Sequence, residues 1–444
     1  MGTFFGTDGI RGVAGELLTP ELALKVGRAA AMVLAAHRGG RPTFLIARDT
    51  RVSGPALEAA LVAGITSGGG HAHVAGVLPT PGLAALVVER GADAGVVVSA
   101  SHNPFADNGI KLFSHAGMKL SDEEEAEIEL LLAQDLPCVS GTGFGDASVL
   151  NDAVQTYVGG LVRRLPVDLA GLRIVVDCAN GSMSEAAPLA FSLLGADVSV
   201  TGCEPDGLNI NAGCGSTHIE GLQQMVEDDG FDLGLAFDGD GDRVLAVDRY
   251  GRLVDGDFII AILARHLKQH GRLRKDTVVT TVMTNLGFRH AMDREGIQVR
   301  VTDVGDRYVM EEMLRGDFVL GGEQSGHVID RDVSTTGDGL ATALLLLDAV
   351  RSAGVPLDEA ATIMHRLPQR LVNVAVRNRD ELASAEDVWA AVEREAQRLN
   401  GTGRVLVRPS GTEPLVRIMV EAPSPEECEA ICDRLAKVVR DRLG

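Results

Sequence analysis

The chain has 444 residues, with 41 Lys and Arg against 62 Asp and Glu, for a formal net charge of −21. At about 100–200 residues per domain, that length bounds the architecture at roughly two to four domains with ample core. The acidity excludes a general nucleic-acid binder, which needs a basic footprint, and disfavours attachment to anionic membranes.

The N-terminus reads Met-Gly-Thr-Phe-Phe-Gly-Thr-Asp and has no basic stretch leading into an apolar run, so no signal peptide is expected there. Residues 5–12 form a Gly-rich loop that presents Arg11, suited to steadying an anion, although a surface turn accounts for it equally well. From residue 43 onward, short apolar strands alternate with helical patterns, which reads as α/β. A first unit runs strand 43–47, helix 55–66, strand 72–77, helix 82–89 and strand 95–98. The same alternation returns through 173–176, 185–194, 197–201, 219–227 and 233–237. It returns again through 277–282, 288–294, 298–301, 307–314 and 318–320. The apolar segment at 340–350 is far shorter than the roughly 20 residues that span a bilayer. From about 367 the pattern changes to strands 371–376, 404–408 and 415–421 with helices at 385–399 and from 425, a small α+β domain.

Each third strand runs into a polar loop. These are Ser99-Ala-Ser-His-Asn-Pro104, Asp238-Gly-Asp-Gly-Asp-Arg243 and Gly321-Gly-Glu-Gln-Ser-Gly-His327. Ligands of open α/β sheets bind outside the carboxyl ends of strands, so three such loops imply one shared cleft.

Asp238, Asp240 and Asp242 repel one another unless a cation gathers them. An EF-hand is excluded, because the sixth and twelfth positions are Arg243 and Arg249 rather than Gly and Glu. Three carboxylates without His or Cys favour a hard ion such as Mg²⁺ over a solvated acidic turn. Ser101 lacks the Gly-x-Ser-x-Gly frame of many hydrolases and by itself reads as a turn residue. Beside a metal loop it becomes a candidate carrier of phosphate. Lys111, at the start of a strand over 110–113, could serve as acid/base or counter-ion; His102 could do the same or stabilise the turn. Lys111 leads as the group that moves hydroxyl protons, with His102 and His327 behind it.

Arg408, Ser410, Gly411, Thr412 and Arg417 make an anion cradle of turn amides, hydroxyls and guanidinium forks, and it is not a Walker loop. Glu323 and Ser325 could bind vicinal sugar hydroxyls, a weak signal taken alone. The six cysteines have no Cys-x-x-Cys pair and read as free thiols in a reducing compartment. Glycine, 53 residues or about 12% against a typical value of about 7%, points to many tight turns and backbone-lined sites.

Taken in order, these motifs identify a family. The opening Phe-Gly-Thr-Asp-Gly-Ile-Arg-Gly, Ser-Ala-Ser-His-Asn-Pro with Asp-Asn-Gly-Ile-Lys, Asp-Gly-Asp-Gly-Asp-Arg, Gly-Glu-Gln-Ser-Gly-His and Arg-Pro-Ser-Gly-Thr-Glu-Pro resemble those of the α-D-phosphohexomutases over essentially the whole chain. The resemblance implies three pattern-related α/β domains with mixed sheets plus a smaller C-terminal α+β domain around a central cleft. The expected boundaries are 1–152, 153–252, 253–366 and 367–444. It implies a phosphoserine at Ser101, and one Mg²⁺ per chain held by Asp238, Asp240 and Asp242 with that phosphate.

By the same resemblance, Glu323, Ser325 and His327 fall on a sugar loop. Arg408, Ser410, Gly411, Thr412 and Arg417 would hold the phosphate that does not react, and Arg11, Lys111 and Arg243 would lie near the one that does. The implied reaction interconverts glucosamine 6-phosphate and glucosamine 1-phosphate through a 1,6-bisphosphate, supplying amino-sugar nucleotide and cell-wall precursor synthesis. Gln324 and the N-terminal motif favour the amino sugar. Glucose or mannose phosphates, a metal-dependent sugar phosphatase and a non-catalytic sensor are the alternatives. The expected partners are small hexosamine phosphates, with no nucleic acid and no membrane, in the cytoplasm. A homodimer is left open.

Overall fold

A computed structural model describes residues 4–6, 8–410 and 414–444. The chain divides into two compact units, Met1–Val282 with Gln298–Ala361, and Met283–Ile297 with Thr362–Gly444.

The threefold pattern read from sequence is a threefold repeat of topology. The first strand of each repeat (Thr43–Arg48, Arg173–Asp177, Thr277–Thr281) lies between two parallel neighbours. On one side is the second strand (His71–Val77, Asp197–Thr201, Gln298–Thr302), and on the other the third (Ala94–Val98, Leu233–Phe237, Leu320–Gly322). A fourth strand (Asp107–Ser114, Val244–Asp248, Val328–Asp330) folds back antiparallel on the third. The three polar loops are therefore the same element, the connection from third to fourth strand, and all three sheets are mixed.

The central strands are buried along their length, as expected where helices cover both faces of a parallel core. In the third repeat the ladder begins at Leu320 instead of 318, because Val278 pairs with Leu320 and Val279 with Gly321. Two glycines give this strand little intrinsic β preference, and register alone sets it.

The first sheet gains two edges that periodicity did not disclose. Ile10–Val13 pairs antiparallel with Asp107–Ser114, and Ala147–Val149 pairs parallel with His71–Val77. Arg11, expected in a loop, thus sits on a strand opposite Gly109. Helix Pro20–Arg38 starts at Thr19, whose hydroxyl accepts from the Leu22 amide at 3.2 Å, with Pro20 at its first position. It packs on helix Gly54–Ser67 at backbone contact: a Cβ on Gly64 would stand 2.1 Å from the Leu24 carbonyl oxygen. The apolar segment at 340–350 is helix Gly339–Ala353, buried on nearly every side and capped by Asp338. Among the described residues no single helix is long and apolar enough to cross a membrane.

The second unit has a three-stranded antiparallel sheet with Leu415–Glu421 between Gln369–Ala375 and Arg404–Pro409. Helices Glu386–Leu399 and Pro425–Leu443 bury Val388, Leu435 and Val439 against Val374, Ile418 and Val420. Helix Leu286–Arg294 belongs to this unit too. Its first turn is held by Glu421, fully buried, which accepts from the Leu286 amide at 2.9 Å and from Arg404 Nε at 2.7 Å. Removing one partner of a buried pair costs about 3–5 kcal/mol. Glu421→Ala should therefore lower the thermal midpoint and accelerate amide hydrogen exchange in 286–294.

Candidate active site

The three hairpin loops of the first unit meet. Ser101 is 1% exposed, and its Oγ donates to Asp238 Oδ2 at 2.6 Å, across 137 residues of chain. His102 Nδ1 stands 3.3 Å from the same Oγ. Ser101 has φ +52°, in the left-handed region that residues other than glycine rarely adopt. Such strain persists only where the surroundings enforce it, and it concentrates at functional sites.

Asp238, Asp240 and Asp242 are buried, and one carboxylate oxygen from each lies within 4.8 Å of the others. Asp240 Oδ2 accepts from Thr80 Oγ1 at 2.6 Å and from Lys111 Nζ at 2.8 Å. The Asp240 and Asp242 Oδ1 atoms are buried without a hydrogen-bond partner. Buried acceptor oxygens left over in an all-carboxylate cluster fit a hard divalent cation such as Mg²⁺. Burial, then repulsion from Asp242 and Asp240, pushes the Asp238 carboxyl well above its ordinary range. For Asp242 burial works the same way, but His327, Lys111 and Arg243 outweigh it and hold the carboxyl well below that range.

The cations around this cluster alternate with carboxylates in a closed ring. Lys111, 2% exposed, contacts Asp240, Asp8 at 3.3 Å and Asp242 at 3.8 Å. Lys119 joins Asp8 to Asp306, the latter at 2.6 Å. His327 closes the ring, with Nδ1 3.6 Å from Asp242 and Nε2 3.9 Å from Asp306. Burial disfavours the ammonium of Lys111, yet Asp240, Asp8 and Asp242 outweigh it and hold the lysine protonated far above neutrality. Burial also opposes protonation of His327, but Asp242, Asp306 and Glu323 raise the ring to about 9. His102 is the reverse case: burial, Arg243 and Arg11 push it down to about 4.

A cavity of about 440 Å³ opens beside this ring, lined by Arg11, His102, Asp242, Arg243, Glu323 and His327 among others. Arg11 also reaches Asp8 and, at 3.5 Å, the Ala100 carbonyl. Glu323 Oε1 accepts from the Gly305 amide at 3.1 Å. Gln324 turns the other way, to Asp257 Oδ2 at 3.3 Å, and neither it nor Ser325 is among the residues lining the cavity.

The remaining cradle lies in the second unit. Arg408 and Arg417 are direct cross-strand partners. Ser410, 2% exposed, donates its amide to the Leu415 carbonyl at 2.8 Å and accepts at its own carbonyl from Arg379 at 2.6 Å. Gly411 and Thr412 lie outside the described residues.

Sequence reasoning passed over Asp8, Lys119, Asp306, Thr80 and Arg51. Asp8 stood inside a quoted motif, and Arg51 lies just past the carboxyl end of Thr43–Arg48, where sites are expected. For Lys119 and Asp306 no local signal exists, since their partners are 111 and 187 residues apart in the chain.

Residues 2–136, 155–251, 255–367 and 371–438 match, respectively, domains I, II, III and the C-terminal domain of phosphoglucomutase/phosphomannomutase. The chain belongs to this family. Within it, the chain is 53% identical to a phosphoglucosamine mutase of Desulforudis audaxviator, covering 99% of this chain and 98% of the relative. It is 51% identical to one from Bacillus licheniformis, over the whole of both chains. Among solved structures, a phosphoglucomutase/phosphomannomutase family protein of Burkholderia thailandensis shares the fold with TM-score 0.82, 24% identity and coverage of 100% of this chain and 98% of that one. Aspergillus fumigatus N-acetylphosphoglucosamine mutase, solved with GlcNAc-6P and magnesium, aligns with TM-score 0.73 and 19% identity over 100% of this chain and 96% of that one.

In metal-free, unphosphorylated protein the two imidazoles should be separable by NMR. His327 should lose its proton only as pH rises through about 9, and His102 should gain one only as pH falls through about 4. Coincident titration of the two rings near 6.5 would contradict this electrostatic assignment.

Proposed function

We propose that this chain interconverts glucosamine 6-phosphate and glucosamine 1-phosphate through phospho-Ser101 and a glucosamine 1,6-bisphosphate intermediate. The observation that carries the reading is the placement of Ser101 Oγ on Asp238, within a buried three-carboxylate cluster beside a polar cavity. A hydrolase of the Gly-x-Ser-x-Gly kind has no use for that cluster, whereas transfer of a phosphoryl group needs charge neutralisation and alignment more than covalent chemistry.

Glucosamine 6-phosphate is read as presenting its 1-hydroxyl to phospho-Ser101. The sugar oxygen bonds to phosphorus as its proton passes to His102, the bond from phosphorus to Oγ breaks, and Oγ takes that proton as the serine is freed; the return half-reaction runs the same transfer in reverse. The bisphosphate then turns, Oγ attacks the 6-phosphate, and glucosamine 1-phosphate leaves with the serine phosphorylated again. Asp238, Asp240 and Asp242, together with the Ser101 phosphate, would hold a hard divalent cation, which would neutralise charge on the transferring group. Lys111, Arg11 and Arg243 add fixed positive charge near it. The electrostatics of Lys111 support the counter-ion role rather than that of a base, because three carboxylates hold its proton. His327 is likewise cationic at neutral pH.

His102 is the neutral group, 3.3 Å from Oγ, and it takes the role of proton acceptor here. A phosphate on the adjacent serine raises its proton affinity by bringing negative charge alongside. Glu323, which lines the cavity, is assigned to the sugar, with Ser325 on the same loop though outside that lining, and Arg408, Ser410, Gly411, Thr412 and Arg417 to the phosphate that stays in place. On this reading the chain has four domains, 1–152, 153–252, 253–366 and 367–444.

The amino sugar is favoured by the full-length relatives at 51–53% identity rather than by Gln324, whose amide is engaged with Asp257. Ser101→Ala should abolish turnover while leaving the fold intact, and intact mass of the active wild type should show one phosphate, lost in the variant. Normal activity in Ser101→Ala would sink the mechanism. For the sugar, kcat/KM should rank glucosamine 6-phosphate above glucose and mannose 6-phosphates by at least about tenfold, or ~1.4 kcal/mol. A reversed ranking would reassign the substrate within the family. Stoichiometric release of inorganic phosphate would instead point to a phosphatase.

A further inference from the structure

Arg51 heads the largest fully buried side chains, and its guanidinium is spent on the loop that carries Ser101. Nε donates to Asp49 Oδ2 at 2.8 Å. Nη2 donates to the carbonyls of Ser101 and Asn103, both at 2.9 Å. Nη1 donates to the carbonyl of Asp107 at 2.9 Å and to that of Pro104. The ion pair is also tied to the amide side of the same residue: Asp49 Oδ2 accepts from Ser99 Oγ at 2.6 Å, and Ser99 Oγ accepts from the Ser101 amide at 2.9 Å. From the second repeat, Asn211 Nδ2 donates to the same two carbonyls, Ser101 at 2.9 Å and Asn103 at 3.0 Å. The peptide groups on both sides of the Ser101 Cα are therefore fixed, at a residue whose φ of +52° is unfavourable without such enforcement.

We propose that Arg51, with Asn211 opposite it, is a positioning residue that locks Ser101 in its left-handed conformation and so aims Oγ along the line of phosphoryl transfer. The inference rests on the mutase reading above. In that reading Oγ must serve as leaving group in one half-reaction and nucleophile in the other, from one position, while the sugar is bound by other residues. Misplacement of a reacting atom by about 1 Å costs on the order of 100-fold in rate. A lysine keeps the charge that balances Asp49, but a single ammonium cannot reproduce the planar fork that reaches four carbonyls.

The test is steady-state turnover of glucosamine 6-phosphate by the full-length enzyme with Mg²⁺, alongside thermal midpoints. Arg51→Lys should lower kcat by about 30- to 1000-fold while KM stays within about threefold, the pattern of an interaction realised only in the transition state. Methylguanidine at sub-denaturing concentration should restore part of the activity of Arg51→Ala. Should the Arg51 variants fail to fold, Asn211→Ala carries the test, with kcat lowered and KM unchanged. Activity of Arg51→Lys or Asn211→Ala equal to wild type would overturn the proposal. So would a loss that follows the thermal midpoint, shows no separation of kcat from KM and resists methylguanidine. An inactive wild type would count against the mutase reading instead, so the two failures are distinguishable.

Discussion

Burying three carboxylates within reach of one another is the constraint on which the rest of the site depends. Each such charge costs several kcal/mol to desolvate, on the order of 5, and like charges add to that cost. The protein answers with a ring in which Lys111, Asp8, Lys119, Asp306, His327 and Asp242 alternate in sign. The ring divides the roles of its members. Carboxylates facing cations ionise readily, as Asp242 does, while Asp238, buried and facing Asp242 and Asp240, resists ionisation even though it accepts from Ser101. A net charge of −21 is thus compatible with handling an anionic substrate: compensation is arranged locally, atom by atom, and not by the chain's total.

The three polar loops can meet because one topological element is used three times. In each repeat the third strand turns back into an antiparallel fourth, and the turn is where polar residues collect. Parallel strands present their carboxyl ends on the same side of a sheet, so each hairpin emerges at an equivalent place. The loops differ in chemistry while their frames agree: one carries Ser101, one the aspartates, one Glu323 and His327. Rigidity follows from the frames. A Cβ on Gly239 would lie 2.5 Å from the Ser101 carbonyl oxygen, so the serine loop and the aspartate loop touch backbone to backbone.

Much of this was legible in the linear order of residues. Apolar runs of strand length between helical periods located the three first strands and the hairpin loops to within a residue or two. The 2.6 Å contact from Ser101 to Asp238 joins two loops singled out for their chemistry alone. What escaped was everything whose meaning lies in a distant partner. Ile10–Val13 is too short, and broken by Gly12, to declare itself a strand, and becomes one only by pairing with Asp107–Ser114. Gln324 looked like a substrate contact by its place in the motif, yet its side chain answers to Asp257, 67 residues away. Lys111 read as acid/base or counter-ion, and nothing in its local sequence announced the three carboxylates around its amine.

The sequence by itself determined the repeat, the loops and the kind of chemistry, because hydrophobic period and donor type are local properties. It also favoured a functional role for the acid near residues 238–242, since three crowded carboxylates repel one another unless a cation gathers them. Only the tertiary structure decided the protonation of Lys111, His102 and His327, and the clamp that Arg51 and Asn211 place on Ser101. Those depend on burial and on fields summed over neighbours far apart in the chain, and a Coulomb sum over space cannot be read from adjacency along a polymer.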